Sequence, residues 1–279
     1  MTPDILVAGH IVRDIRPGGW RAGGGVYYAS SQAAALGLRV GAVTACAAEF
    51  ELPRIRRVDW HAVPSAQTTT FENTYSRGVR RQRVQAAGPA LKLADIPEHW
   101  LDAPVVLLTP VFHDVDPQLP KRLGRGGRLL GIGAQGWLRR REGETVQPGV
   151  VEPRPRWLAG DVVFVSEEDV TDPEAAAVWQ KKVPLIVLTR GGSGCTIWDA
   201  SGRHDYAPVE IDEVDPTGAG DVFAVAFLHR YHESGRIGDA ARFAAAAAAL
   251  AIRGKGAEGV AGTREIEGLI RRRETVEAR

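Results

Sequence analysis

Cysteine is nearly absent from this chain: 279 residues hold only Cys46 and Cys195, far apart and in no metal-ligand spacing. Both read as buried apolar thiols of a reducing compartment. A charge imbalance is also missing. Lys and Arg total 35 against 34 Asp and Glu, a net charge of +1, which gives no general reason to expect nucleic acid or an anionic membrane as partner and suits small neutral substrates better. No apolar segment approaches membrane-spanning length, and Met1-Thr2-Pro3-Asp4 runs into a strand-like stretch without the basic and apolar regions of a secretion signal. The expectation is a soluble cytoplasmic protein. Two nucleotide-binding signatures are absent as well. There is no G-x-x-x-x-G-K-[ST], which excludes a P-loop enzyme. Nor is there a G-x-G-x-x-G after the first strand with an acid about 20 residues on, which argues against a dinucleotide oxidoreductase.

What the chain does have is 44% hydrophobic content, enough to bury the core of a single α/β domain over residues 1–279. Apolar runs at Ile5 to Gly9, Arg39 to Ala45, Val105 to Val111, Arg128 to Gly131, Val162 to Val165 and Pro184 to Leu188 alternate with helical or loop segments. That alternation predicts a mostly parallel sheet. Cys195 to Trp198 and Arg203 to Ala207 read as a hairpin, Gly238 to Ile252 as an alanine-dominated helix, and Ile266 to Arg272 as a terminal amphipathic helix. One stretch breaks the rhythm. Thr68 to Tyr75, a turn at Ser76-Arg77-Gly78 and Val79 to Gln85 predict a β-hairpin rich in Thr, aromatics and Arg. Most of Arg80, Arg81 and Arg83 read as its solvated face.

The chemistry concentrates in Asp215-Pro216-Thr217-Gly218-Ala219-Gly220-Asp221, which runs directly into the apolar Val222 to Leu228. Gly218, Ala219 and Gly220 are too small to block a close approach, so successive backbone N–H groups at a helix start offer a seat for an anion. Asp221 falls in the first turn, where a carboxylate could take the proton of an attacking hydroxyl. The plainer reading is a glycine-rich helix start with an acid favouring the dipole. Asp14 lies beyond the first strand, at the end where open α/β sheets bind ligands, and reads as a substrate contact or as a solvated turn residue. Gly23-Gly24-Gly25 opens a helical stretch, and Thr189-Arg190-Gly191-Gly192-Ser193-Gly194 is a Gly-rich turn after a strand.

The Asp215 to Asp221 stretch resembles the D-T-x-G-A-G-D signature of the ribokinase-like, or PfkB, carbohydrate kinases. Gly23-Gly24 and Thr189 to Gly194 are similar to two further family motifs in the right order. The resemblance implies a three-layer α/β/α domain with a small β lid, formed here mainly by about 66–87 together with part of 15–22. Because Pro17-Gly18-Gly19 favours a tight turn, the latter contribution is expected to be small. It also implies an ATP- and Mg²⁺-dependent phosphotransferase with Asp221 as base and Gly218, Ala219 and Gly220 as anion hole. Asp14, Gly23, Gly24 and Gln135 would bind substrate, and Thr189, Gly191, Gly194 and Gly256 the nucleotide. Asp169 or Glu168 would serve Mg²⁺, and Asp215 a monovalent cation such as K⁺.

Three positions depart from the family pattern. Gly133 stands where an acid is usual, Ser166 where Asn is usual and Asp169 where Glu is usual. The plainer reading of Ser166 to Asp169 is a helix cap with acids in the first turn. The string Thr70 to Tyr75 with Gly78 to Val84 looks like the inositol-kinase branch, so a myo-inositol-like cyclitol is the first expected substrate, then a ribose-like sugar. A nucleoside is the alternative, with Tyr27, Tyr28 or Trp137 as base clamp, and a non-catalytic binder on the same fold is the rival class. Monomer and homodimer both remain open.

Overall fold

In the computed structural model of the chain, residues 1–16, 18–76, 79–124 and 126–277 are described. In chain order the elements are β1 (Ile5–Ala8), β2 (Val12–Arg16), β3 (Gly19–Gly23), α1 (Gly25–Ala35), β4 (Val40–Cys46), β5 (Val58–Pro64), β6 (Thr70–Ser76) and β7 (Val79–Ala86). Then come β8 (Val105–Leu108), α2 (Leu119–Leu123), β9 (Leu129–Gly133), α3 (Gln135–Leu138), β10 (Arg140–Glu142), β11 (Thr145–Gln147), β12 (Val162–Ser166) and β13 (Leu185–Thr189). The chain finishes with β14 (Cys195–Asp199), β15 (Gly202–Tyr206), α4 (Ala219–Ser234), α5 (Ile237–Ala251) and α6 (Thr263–Glu277).

Nine strands form the main sheet in the order β15-β14-β13-β12-β9-β8-β1-β4-β5. All neighbours run parallel except the β13–β14 and β14–β15 pairs at one edge. β1, β4 and β8 are buried along their whole length, as parallel strands covered on both faces must be. On one face Val7, Leu107, Phe164 and Val187 pack under α1, α4 and α5 through Val26, Val225, Phe227 and Ala244. On the other, Leu6, Val106, Leu130 and Ile186 meet Leu119, Trp100, Trp157 and Trp179. This second layer is built largely from short segments such as the 3₁₀ stretch Pro173–Lys181. Large rings fill the space that full helices would occupy: Trp157 stacks on Trp137 at 5.5 Å and meets Trp179 edge-on at 5.0 Å. The parallel sheet expected from the alternation is therefore present, within the three-layer α/β architecture that the family resemblance implies.

Val222 to Leu228 is buried on every side, so α4 is an internal helix and its start is fixed by packing. A Cβ at Gly131 would come within 2.4 Å of Leu228, which lets α4 lie directly on β9. The alanines of α5 permit the same close approach from outside.

A second sheet of six strands runs β10-β11-β7-β6-β2-β3. It is wider than the sequence suggested. The segment around Gly18 to Ala22, expected to contribute little, forms a full hairpin with β2, paired from Val12↔Gly23 to Arg16↔Gly19. The β10–β11 hairpin leaves little trace in the sequence, because two three-residue strands with Val146 as the one apolar residue are too short to show a period. β5 carries a weaker signal than the buried strands because it is an edge strand of half-buried and exposed residues that ends in Pro64. The turn expected at Arg77-Gly78, Pro17, and the side chains of Arg80 and Arg81 lie outside the described residues.

Buried polar groups pin the crossings between the two sheets. The Asp114 carboxylate accepts the amides of His10 (2.8 Å), Val111 (2.7 Å) and Phe112 (2.7 Å). The Thr69 hydroxyl meets His10 Nδ1 at 2.7 Å and accepts the Gly88 amide at 2.9 Å. Every buried backbone donor needs such a partner, so these residues fix where the second sheet sits above the carboxyl ends of the first.

Candidate active site

The site is built at the start of α4. Gly218 has φ 86° and ψ 0°, and a Cβ there would stand 2.2 Å from the Tyr28 ring, so both conformation and space demand glycine. No side chain caps the helix. The Ala219 amide is taken by the Pro216 carbonyl at 3.2 Å, and the Asp221 and Val222 amides by the Gly218 carbonyl at 3.1 and 3.0 Å. Among the described residues the amides of Gly218 and Gly220 have no protein acceptor. Gly220 faces open space. The anion seat expected from Gly218, Ala219 and Gly220 is thus narrowed to the two glycine amides.

Each residue of Gly23-Gly24-Gly25 answers to a different neighbour. A Cβ on Gly23 would fall 2.2 Å from Asp14 Oδ2, one on Gly24 (φ 90°) would fall 2.3 Å from the His10 carbonyl, and one on Gly25 would fall 2.7 Å from Asp221 Oδ1. The glycines let two carboxylates close in on the same bend, Asp14 from β2 and Asp221 from α4. Asp14 follows the first strand as expected, but in a strand and not a solvated turn. It lies within β2 of the second sheet, only 4% exposed, and so belongs to the face that looks down on the site.

Asp221 keeps some exposure to the cleft. Burial nevertheless pushes its pKa up to about 7, the positive charge of Arg139 opposing the shift and the negative charge of Asp169 adding to it. Asp169 is buried and is likewise raised, by burial first, against the Arg139 charge and hydrogen bonds from the Ser166 amide and Gln135. Gln135, expected to contact substrate, is therefore engaged with Asp169. Arg139 also donates to the Val111 carbonyl at 3.1 Å. Ser166 caps the turn that holds these acids: its Oγ accepts the Glu168 amide at 3.3 Å, and its own amide donates to Asp169 at 3.1 Å. Glu168 itself is exposed.

The remaining expected residues border the Asp215 loop or the β13 turn. Thr189 ends β13 with its hydroxyl 3.5 Å from the Val165 carbonyl. Gly191 (φ 46°) sits in open surroundings, whereas a Cβ at Gly194 would strike the Tyr206 carbonyl at 2.1 Å. Gly194 therefore has a packing reason as well. The Asp215 carboxylate accepts the amides of Thr217 (3.1 Å) and Gly256 (3.3 Å) and contacts Arg21 Nη2 at 2.5 Å. Burial acts to raise its pKa, but the bonds from Thr217 and Arg21 prevail and hold it down at about 2.

Residues 161–263 match the profile described as pfkB family carbohydrate kinase. Over 253 residues the chain is 30% identical to the cytidine kinase of Thermococcus kodakarensis, covering 82% of this chain and 88% of that one. The chain belongs to the PfkB family of carbohydrate kinases. This PfkB kinase is also 29% identical to the inositol 3-kinase of Oryza sativa subsp. japonica, across 52% of its own length and 38% of that protein. Its fold is shared with a pyrophosphate-dependent kinase in the ribokinase family, solved with a pyrophosphate analogue and myo-inositol. That likeness has a TM-score of 0.77 at 23% identity, over 90% of this chain and 96% of that one. The activity class is accordingly that of a sugar or nucleoside kinase. Within this PfkB kinase the roles of Arg21, Gly25 and Tyr28 went unseen in the sequence. Gly25 was visible as the third of three glycines, while nothing local marked Arg21.

Proposed function

We propose that this enzyme transfers the terminal phosphoryl group of ATP to one hydroxyl of a small cyclic polyol, myo-inositol first and a ribose-like sugar next. The observation that carries the reading is the position of Asp221: a carboxylate with its pKa raised to about 7, one residue from the open amide of Gly220 and across Gly25 from the end of β8. A base poised near neutrality suits proton removal from an alcohol in the transition state. Asp14 holds the acceptor by its hydroxyls. As Asp221 takes the proton, the acceptor oxygen bonds to the terminal phosphorus, the bond to the leaving phosphate oxygen breaks, and the Gly218 and Gly220 amides meet the charge of the transferring group. Thr189, Gly191, Gly194 and Gly256 border the donor.

No group of three or more ligand-type side chains that could hold a metal is present among the described residues, so the magnesium that phosphoryl transfer calls for would be held largely through water, with Asp169 and Glu168 as its nearest acids. Burial pushes up the pKa of both Asp169 and Asp221, so a divalent cation bound nearby would favour their charged forms, and Glu168 would offer an exposed carboxylate to it. Bound there, magnesium supplies charge neutralisation on the terminal phosphates.

The polyol reading is supported by the Thr70 to Tyr75 string and by an inositol 3-kinase among the relatives. A nucleoside is the second reading, favoured by the cytidine kinase that spans most of both chains. Against it, two of the three aromatics considered as base clamp are already engaged. Tyr28 is 2% exposed beneath Gly218, and Trp137 stacks on Trp157 while donating to the Val115 carbonyl at 2.7 Å. The test is turnover across myo-inositol and its isomers, ribose, fructose, fructose 6-phosphate, adenosine and cytidine, with ATP and pyrophosphate as donors. Turnover on a cyclitol that vanishes in Asp221→Asn supports the proposal. A response to cytidine alone favours the second reading, and silence while ATP raises thermal stability favours a non-catalytic binder.

A further inference from the structure

The Asp215 carboxylate, expected to hold a monovalent cation, already has a cation from the protein. Arg21 reaches from β3 to place Nη2 2.5 Å from Oδ2, with the two side chains 24% and 10% exposed. The same Oδ2 accepts the Gly256 amide, and Oδ1 accepts the Thr217 amide. The Ile252 carbonyl accepts the amides of Val214 (2.8 Å) and Asp215 (3.0 Å), so the turn before α4 and the loop after α5 are bound into one unit around this carboxylate. Its charge is compensated by a guanidinium that belongs to the other sheet. Arg21 is paired with Asp14 across the β2–β3 hairpin, which puts the substrate-side carboxylate and this cation side by side. A free metal ion brought to Oδ2 would meet the guanidinium at contact distance, and like charges in a partly buried place repel strongly. The donor set is therefore a poor fit for K⁺.

We propose that Arg21 is a built-in cation of the anion-hole turn: it stands where a monovalent ion would bind at Asp215 and aligns the Gly218 and Gly220 amides from the sheet that carries Asp14. Arg21 is a positioning residue, acting on the reacting atoms through Asp215 and Thr217, and the idea rests on the kinase reading above. Its consequence is that turnover needs no added monovalent cation, because the charge that orders the turn arrives with the second sheet.

The experiment compares the intact enzyme, Arg21→Ala and Arg21→Lys in potassium chloride and in tetramethylammonium chloride at equal ionic strength. Wild type should turn over equally in both salts. Arg21→Ala should lose about 100-fold in kcat, as expected for misaligned catalytic groups, with the KM for the acceptor little changed, and should recover part of it on addition of K⁺ or of dilute guanidinium. Arg21→Lys should retain most of the rate. A readout independent of turnover is the thermal midpoint, which should be the same in the two salts for wild type and higher in potassium than in tetramethylammonium for Arg21→Ala. Potassium stimulation of wild type overturns the proposal, as does a loss in Arg21→Ala that neither cation restores. If no acceptor is turned over, the kinase reading fails while the thermal comparison still decides the question of the cation.

Discussion

Asp221→Asn separates two consequences of burying a carboxylate at the head of α4. The folded group titrates at about 7 against a reference of 3.8. Below about pH 4 both folded and unfolded chains hold the proton, and the group costs nothing. Between about pH 4 and 7 only the folded chain holds it, so stability falls as pH rises, and above 7 the loss is complete. The difference between 7 and 3.8 corresponds to about 4 kcal/mol at 1.36 kcal/mol per pH unit, an upper bound because the carboxylate keeps some exposure to the cleft. Screening brings the expectation to about 2 kcal/mol. Asn keeps the shape without the charge. The variant should match wild type near pH 4 and exceed it at pH 8 by that amount, roughly 4 °C in Tm for a chain of this size. At the same time kcat should drop by about 10²- to 10⁴-fold, the usual worth of a general base. Urea denaturation at several pH values, alongside initial rates, measures both. A stability gain that is the same at pH 5 and pH 8 would refute the burial argument, and near-normal turnover would remove Asp221 as the base.

Three further outcomes follow from the same geometry. Gly25→Ala places a methyl 2.7 Å from Asp221 Oδ1 and 2.6 Å from Thr109 Cβ; stability should fall by about 1–3 kcal/mol, as overpacking usually costs, and kcat should fall more than KM changes, which steady-state kinetics with a melting curve will check. Arg139→Gln removes the charge that holds the Asp221 pKa down, so the acidic limb of kcat/KM should move to higher pH, and an unmoved limb would show that Asp221 does not control it. Asp215 has its folded pKa depressed from 3.8 to about 2; it contributes roughly 2 kcal/mol of stability that is present above about pH 4 and lost as pH falls through 2. Arg21→Ala should therefore begin acid unfolding at higher pH than wild type, as circular dichroism during acid titration would register.

Much of the fold was open to reading because its signals are local. Strands buried on both faces are apolar without interruption, so β1, β8, β12 and β13 announce themselves, and the run from Gly218 to Leu228 states both a helix start and its burial. What was hidden depends on pairing at long range. β10 and β11 are three residues each and exist because β11 meets β7 at Thr145↔Arg83, a contact 62 positions away in the chain with no local trace. The β2–β3 hairpin was underrated because Gly18 and Gly19 read as a turn only, although a turn between two extended segments is what a hairpin requires.

The candidate site divides along the same line. Glycines were legible as glycines, but the partner that demands each one was not: Gly23 answers to Asp14, Gly24 to His10 and Gly25 to Asp221, contacts made across sheets. The three positions that departed from the family pattern look different once side chains are paired. Gly133 brings no carboxylate to the end of β9, and a Cβ there would meet the Leu108 carbonyl at 3.4 Å and Thr109 Cα at 3.9 Å, ordinary contact distances, so packing does not explain the missing acid. Asp169, shorter than the usual Glu, is held back in the interior by the Ser166 amide and Gln135, where its charge acts on Asp221 through space. The Gln135 to Arg139 segment thus supplies a hydrogen bond to one acid and a positive charge to both. That positive charge is the counterweight that keeps a buried base near neutrality instead of fully protonated, and it is why substitutions at Arg139 should be read in the pH profile before they are read in binding.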